Sequence, residues 1–255
     1  MGISFKTNYI SLSALVAIVA IAWIFLVSSG GVTTSLGEST WLGLLMRVMM
    51  TSEVGLSYFF VSFLMWAIMM LAMMLPAAIP LLLIFRKIYQ ANNLERDSSI
   101  LALGFLTIWM LFSVVATLFQ WCLHLGGFLE GPELAVKTNF AAAILLGAGV
   151  YQFLPIKNAC LSRCRSPLSF LLDHWSGIER NAFTVGLRHG LFCLGCCWAL
   201  MLLMFVGGVM SLLSMVAISV FILLERTLPG DRWVRFIPGT VLLMLGTKVL
   251  FLSGF

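Results

Sequence analysis

The chain has 255 residues, of which 61% are hydrophobic and only 10% charged, against roughly a quarter charged in soluble domains. With several apolar runs of about 20 residues, each long enough to cross a hydrocarbon core, this composition predicts an all-α polytopic bundle in a lipid bilayer and leaves no room for a sizeable soluble domain. The net charge of +5 does not indicate nucleic acid, because the basic residues are spread over several short segments. A β-barrel is excluded by the lack of short alternating segments.

Hydropathy divides the chain into about seven spans. The first, Tyr9–Val27, follows Lys6 and precedes Ser28-Ser29-Gly30-Gly31. Its apolar stretch exceeds that of a cleaved signal peptide and reads as an anchor. Trp41–Met50, with only Arg47 charged, is expected to lie along the interface. Residues 1–56 thus form an N-terminal anchor and outer interfacial segment, and residues 57–255 a helical membrane domain carrying Met, Cys and His motifs. The second span, Ser57–Phe85, contains Pro76 and Pro80 and is expected to kink or tilt.

The third span covers about Ser99–Leu125, the fourth Asn139–Leu154 and the fifth Ala182–Phe205. Leu191–Leu224 has no charged residue and is too long for one helix, so Gly207-Gly208 is the expected reversal and Val209–Leu224 the sixth span. A turn at Leu228-Pro229-Gly230-Asp231 leads to the seventh, Phe236–Phe251. Ala143, Gly147 and Gly149 give the fourth span a small-residue face suited to close packing.

Basic residues set the orientation. Alternate segments hold Lys6; Arg86, Lys87 and Arg96; Lys157, Arg163, Arg165 and Arg180; and Arg226, Arg232 and Arg235. The intervening segments hold only Arg47, Lys137 and Lys248. The N-terminus and the basic loops are therefore expected in the cytoplasm, and the C-terminus on the opposite, periplasmic side.

The chemistry concentrates in the fifth span. In His189-Gly-Leu-Phe-Cys193-Leu-Gly-Cys196-Cys197, about 100° per residue puts His189, Cys193, Cys196 and Cys197 in one stripe. Thiolate, thioether and imidazole suit soft or borderline metals such as copper(I) and zinc. The second span carries Met69, Met70, Met73 and Met74. Counting from the cytoplasmic ends, the cysteines lie roughly 18–24 Å and the methionines roughly 17–24 Å deep, so the two helices are expected to meet there. Cys160 and Cys164 share one face of a basic stretch, where a thiol pair would dock a cytoplasmic metal donor or act as a redox couple. Gln120 and His124, spaced by four near the outer end of the third span, form a candidate entry or exit site. Cysteine and methionine are also ordinary core residues; Cys122 and His174 receive no functional role.

Other chemistries lack their signatures. There is no phosphate-binding loop of the Gly-x4-Gly-Lys type, no His-Glu-x2-His pair and no Gly-x-Ser-x-Gly elbow. No carboxylate lies deep within a span, since Glu225 and Glu53 sit at span ends, which weakens a proton-coupled carrier.

Three segments carry a resemblance: Trp66-Ala-Ile-Met69-Met70-Leu-Ala-Met73-Met74-Leu-Pro76 with Pro80; Gln120-Trp121-x2-His124, then Tyr151-Gln152-x4-Lys157-x2-Cys160-x3-Cys164-Arg165-Ser-Pro167; and Gly186-Leu-Arg188-His189-Gly190-x2-Cys193-x-Gly195-Cys196-Cys197-Trp198-x2-Met201, leading to Gly207-Gly208-Val209-Met210. From about Met65 onward the chain resembles a bacterial family of predicted metal-binding integral membrane proteins. Ser211 and Arg226 stand where that family leads one to expect Asn and Lys. The resemblance implies a bacterial inner-membrane protein with a metal site.

Together these readings predict a copper-handling protein that serves delivery, transport or metalloenzyme assembly. Cys193, Cys196 and Cys197 would bind the metal, with His189 or the methionines completing its shell. Zinc is the other candidate metal, and a metallochaperone or metalloenzyme the expected partner. Two readings compete: a thiol-redox protein acting with a quinone or partner, and a non-catalytic subunit of a membrane complex.

Overall fold

A computed structural model describes residues 10–32, 55–88, 94–131, 133–175, 181–228 and 233–253. The expected interfacial segment Trp41–Met50 lies outside them, as does most of the Leu228–Asp231 turn. The described residues form nine helices and one two-residue hairpin: α1 Ile10–Val32, α2 Leu56–Ile88, α3 Leu94–Leu125, β1 Leu129–Glu130, β2 Ala135–Val136, α4 Thr138–Phe153, α5 Pro155–Arg165, α6 Pro167–Trp175, α7 Ala182–Gly207, α8 Leu212–Thr227 and α9 Trp233–Ser253. The strands pair antiparallel, Leu129 with Val136 and Glu130 with Ala135.

Proline accounts for two features of the chain path. Pro76 has no N–H to return to the carbonyl four residues earlier, so the Ala72 carbonyl loses its partner within α2. Trp23 of α1 supplies one, its indole Nε1 donating to the Ala72 oxygen at 3.1 Å. The helix stays continuous through Pro76 and Pro80, and the repair fixes α1 against α2. At the other site, Leu154 precedes Pro155 and is extended, with φ −68° and ψ 139°, as residues before proline prefer. The chain bends by 67° there, turning α5 across the bundle.

Helices α3 and α7 run parallel in close contact, because glycines remove the side chains between them. A Cβ on Gly186 would run into the Leu101 carbonyl, and one on Gly104 into the Phe183 carbonyl. Gly190 faces Ile108. α2 packs on α3 and α1, and α4 on α9. Of the small residues expected to line α4, only Gly149 meets a neighbour, Leu243 of α9. Ala143 is exposed and Gly147 faces open space. The contact is completed by glycines of the other helix, Gly239 against Phe153 and Gly246 against Leu146, which a search of α4 alone does not find. The reversal after α7 is made at Gly208, with φ +92°, a conformation glycine adopts without strain.

Among the described residues, α2, α3 and α7 are long and apolar enough to cross a membrane, and α4 with α5 would be a fourth span if the bent pair is counted as one. This is fewer than the seven expected from hydropathy. The apolar stretches Leu12–Ser28 of α1 and Phe236–Leu252 of α9 are shorter, and α8 has 16 residues. At 1.5 Å per residue α8 reaches about 24 Å, below the roughly 30 Å of a typical hydrocarbon core, whereas α1 and α9, with 23 and 21 residues in all, reach about that thickness.

Candidate metal site

The site is built on α7. Asn181 caps its first turn by accepting from the Phe183 N–H at 3.0 Å. The helical repeat then brings His189, Cys193, Cys196 and Cys197 to the buried face. Cys193 is fully enclosed. Its carbonyl accepts from the thiols of Cys196 at 3.0 Å and Cys197 at 2.9 Å, so all three sulfur residues share one turn.

Helix α5 brings two further thiols to the same place. The bend at Leu154 directs it over α7, with Cys160 Sγ lying against Gly195 and Cys164 in side-chain contact with Cys196. A side chain on Gly195 would occupy the space of Cys160. The pair expected to form a separate cytoplasmic dock therefore joins the α7 cluster. Both residues are half-buried, whereas Cys122, the sixth cysteine, is exposed. The Tyr151 hydroxyl donates to the Gly195 carbonyl and its ring stacks edge-on to Trp198, joining the end of α4 to the same turn.

Charged residues hold α5 in position. Lys157 of α5, fully buried, donates to both carboxylate oxygens of Glu225 on α8 and also to Gln152. Arg165, at the other end of α5, donates through Nε to the Glu225 carbonyl at 2.8 Å. The next residue of α8, Arg226, reaches the thiols: its Nη2 lies 2.7 Å from Cys193 Sγ and 3.7 Å from Cys196 Sγ. The sulfur cluster thus lies level with the C-terminal end of α8 and is covered by α5.

The remaining expected ligands divide. His189 is buried one turn from Cys193, its ring centroid 5.8 Å from Phe105 and 5.2 Å from Phe170; its Nδ1 is buried without a hydrogen-bond partner. Met69, Met70, Met73 and Met74 are all buried, but α2 lies mainly on α3 and α1 rather than along α7. Its aromatic contact with α7 is made by Trp66 and Phe205, at 5.4 Å, about 18 Å along the helix from Cys193. At that end Gln120 is already engaged, accepting from Trp66 Nε1 at 2.7 Å and donating to the Tyr58 hydroxyl at 3.0 Å. His124 stacks edge-on to Tyr58 at 4.8 Å. His124 therefore lies at the C-terminal ends of α3 and α7, away from the thiols near the middle of α7.

The family model described as "PpoB2: Copper chaperone" matches residues 63–249, most of the chain and every cysteine in it. The chain belongs to the PpoB2 family. No curated protein and no solved structure matches it.

For a PpoB2 copper chaperone the metal is cargo, and soft thiols are the side chains that copper(I) prefers. Among the described residues no three His, Cys, Asp or Glu side chains are arranged to hold an ion. The contacts give the reason: the Cys196 and Cys197 thiols are turned to the Cys193 carbonyl, and a guanidinium lies against Cys193 and Cys196. In the sequence Arg226 counts as a basic loop residue and a departure from a pattern, and Glu225 as a span-end residue. Lys157 and Gln152 are likewise not marked as partners by the sequence, although both lie within the Tyr151–Pro167 motif.

Proposed function

We propose that this protein is a membrane-integrated copper chaperone that carries copper(I) on the thiols of α7 and α5. The observation that carries the reading is the convergence of Cys160, Cys164, Cys193, Cys196 and Cys197 on one turn of α7, in a chain of the PpoB2 family. Thiolates exchange copper(I) by adding an incoming ligand before losing an outgoing one. Several thiols in reach of one another allow that exchange without release of the ion to water. Cys160 and Cys164, the more accessible pair, are assigned to cargo entry, and Cys193, Cys196 and Cys197 to holding, with His189 beside them.

Membrane integration is supported by the outer surface. Leu103, Leu111 and Val115 of α3, Leu213, Val216 and Val220 of α8 and Met244 and Phe251 of α9 are exposed, forming apolar surface far beyond the patches of soluble monomers. We place seven segments in an inner membrane, with α8 as a short span that tolerates thinning of the bilayer, the N-terminus cytoplasmic and the C-terminus periplasmic. The thiol cluster, at the α8 end carrying Arg226, then lies toward the cytoplasm. The α2 methionines and His124 are assigned to a later stage of transfer toward the other side, where a metalloenzyme would receive the cargo.

Elemental analysis of anaerobically purified full-length protein tests this reading. Copper at or near one equivalent, lost on thiol alkylation, supports it; protein that takes up no copper(I) refutes it. The contact between Cys164 and Cys196 favours one alternative, a thiol-redox couple. That alternative requires reversible loss of two titratable thiols in metal-free protein, with no stoichiometric metal.

A further inference from the structure

Arg226 is the residue of the cluster that copper binding by thiols alone does not explain. Its Nη2 touches Cys193 Sγ and lies within 3.7 Å of Cys196 Sγ, while its Nε is buried with no partner. Among the described residues no ion pair joins it to a carboxylate, since neighbouring Glu225 is engaged by Lys157. Arg226 is half-buried, and a cation partly withdrawn from solvent is costly unless negative charge accompanies it; the groups placed to supply that charge are the two sulfurs.

We propose that Arg226 sets the metal preference of the site by balancing a copper(I) ion held between Cys193 and Cys196. This inference rests on the copper reading above. The two sulfurs contact the same guanidinium nitrogen and are three residues apart on one helix, the spacing that brings side chains onto one face. Copper(I) on two thiolates carries one net negative charge, which the guanidinium cancels. Zinc on the same two thiolates is neutral and leaves the guanidinium charge uncompensated in a half-buried place. The arrangement therefore favours a monovalent soft ion over a divalent one. A third thiolate on copper(I) would restore a net negative charge, so Cys197 stays turned to the Cys193 carbonyl and Cys164 serves exchange.

The test uses the full-length protein in detergent, reduced and anaerobic, titrated with copper(I) alone and with zinc alone against chromophoric chelators. Arg226→Met should weaken copper(I) binding about tenfold or more and narrow the preference for copper(I) over zinc, whereas Arg226→Lys, which keeps the charge, should stay within a few-fold of native for both ions. Unchanged copper-to-zinc preference in Arg226→Met overturns the inference while leaving the copper reading intact; a native protein that binds no copper(I) overturns both. Should Arg226→Met fail to fold, X-ray absorption of the native copper(I) complex decides: two sulfur neighbours support the inference, and three or four overturn it.

Discussion

Lys157 of α5 and Glu225 of α8 form a bidentate ion pair at 2.7 and 2.9 Å, with side chains 1% and 3% exposed. Sixty-eight residues separate them in sequence. Their contact is what keeps the helix bearing Cys160 and Cys164 over the thiols of α7. Breaking a buried pair from one side leaves the other charge unsolvated, a loss of about 3–5 kcal/mol. Lys157→Met should therefore lower the thermal unfolding temperature markedly and raise the alkylation rate of Cys160 and Cys164. Lys157→Met combined with Glu225→Leu should recover much of the stability. No recovery in the double variant would mean that the pair does not act as a unit.

Serine substitutions separate cluster residues from the remaining cysteine. Cys193→Ser and Cys196→Ser should each abolish most stoichiometric copper, because these thiols contact Arg226. Cys160→Ser, Cys164→Ser and Cys197→Ser should lower it less, and Cys122→Ser, on an exposed side chain, should leave it unchanged. Copper retention equal across all six would return the cluster to ordinary packing. The measurement is metal per protein after desalting.

The cap on Ala72 can be tested by a rescue. Trp23→Phe removes the donor to the Ala72 carbonyl and should cost about 1–3 kcal/mol, the range for an acceptor left unsatisfied in an apolar place. In a Pro76→Ala background the new N–H at position 76 can reach that carbonyl, so Trp23→Phe should then cost less. Thermal unfolding of the four proteins gives the coupling; strict additivity would mean that the indole contributes only packing.

Glycines on the two sides of the bundle should respond differently. Gly186→Ala places a methyl group against the Leu101 carbonyl and should push α7 from α3, lowering both stability and copper retention, since His189 and Cys193 follow on that helix. Gly147→Ala meets nothing within 4 Å and should be neutral or slightly stabilising, as alanine favours helix over glycine. Yield and unfolding temperature in detergent distinguish the two.

Reporter fusions check the orientation. The stretch Lys157–Asn181 holds Lys157, Arg163, Arg165 and Arg180, and Gly126–Thr138 only Lys137. The first should report cytoplasmic and the second periplasmic. A periplasmic signal at Arg163 would invert the proposed direction of cargo transfer.

The sequence by itself determined the helical class, the stripe of His189, Cys193, Cys196 and Cys197 on one face of α7, and the reversal at Gly207-Gly208. All three follow from local rules: the helical period, the exclusion of charge from apolar segments, and the freedom of glycine. It did not determine which helices are neighbours, because period and depth fix a residue's face and height but not what stands opposite. The methionines of α2 matched the cysteines in expected depth, yet α3 is the helix packed along α7, its approach set by Gly104 and Gly186. Cys160 and Cys164 join the cluster only because the 67° bend before Pro155 and the Lys157–Glu225 pair lay α5 across α7. Arg226 became part of the site in the same way, through the packing of α8 beside the thiols. Tertiary structure decided these contacts, since each depends on side chains from helices far apart in the chain meeting in a water-poor interior where unpartnered polar groups are costly.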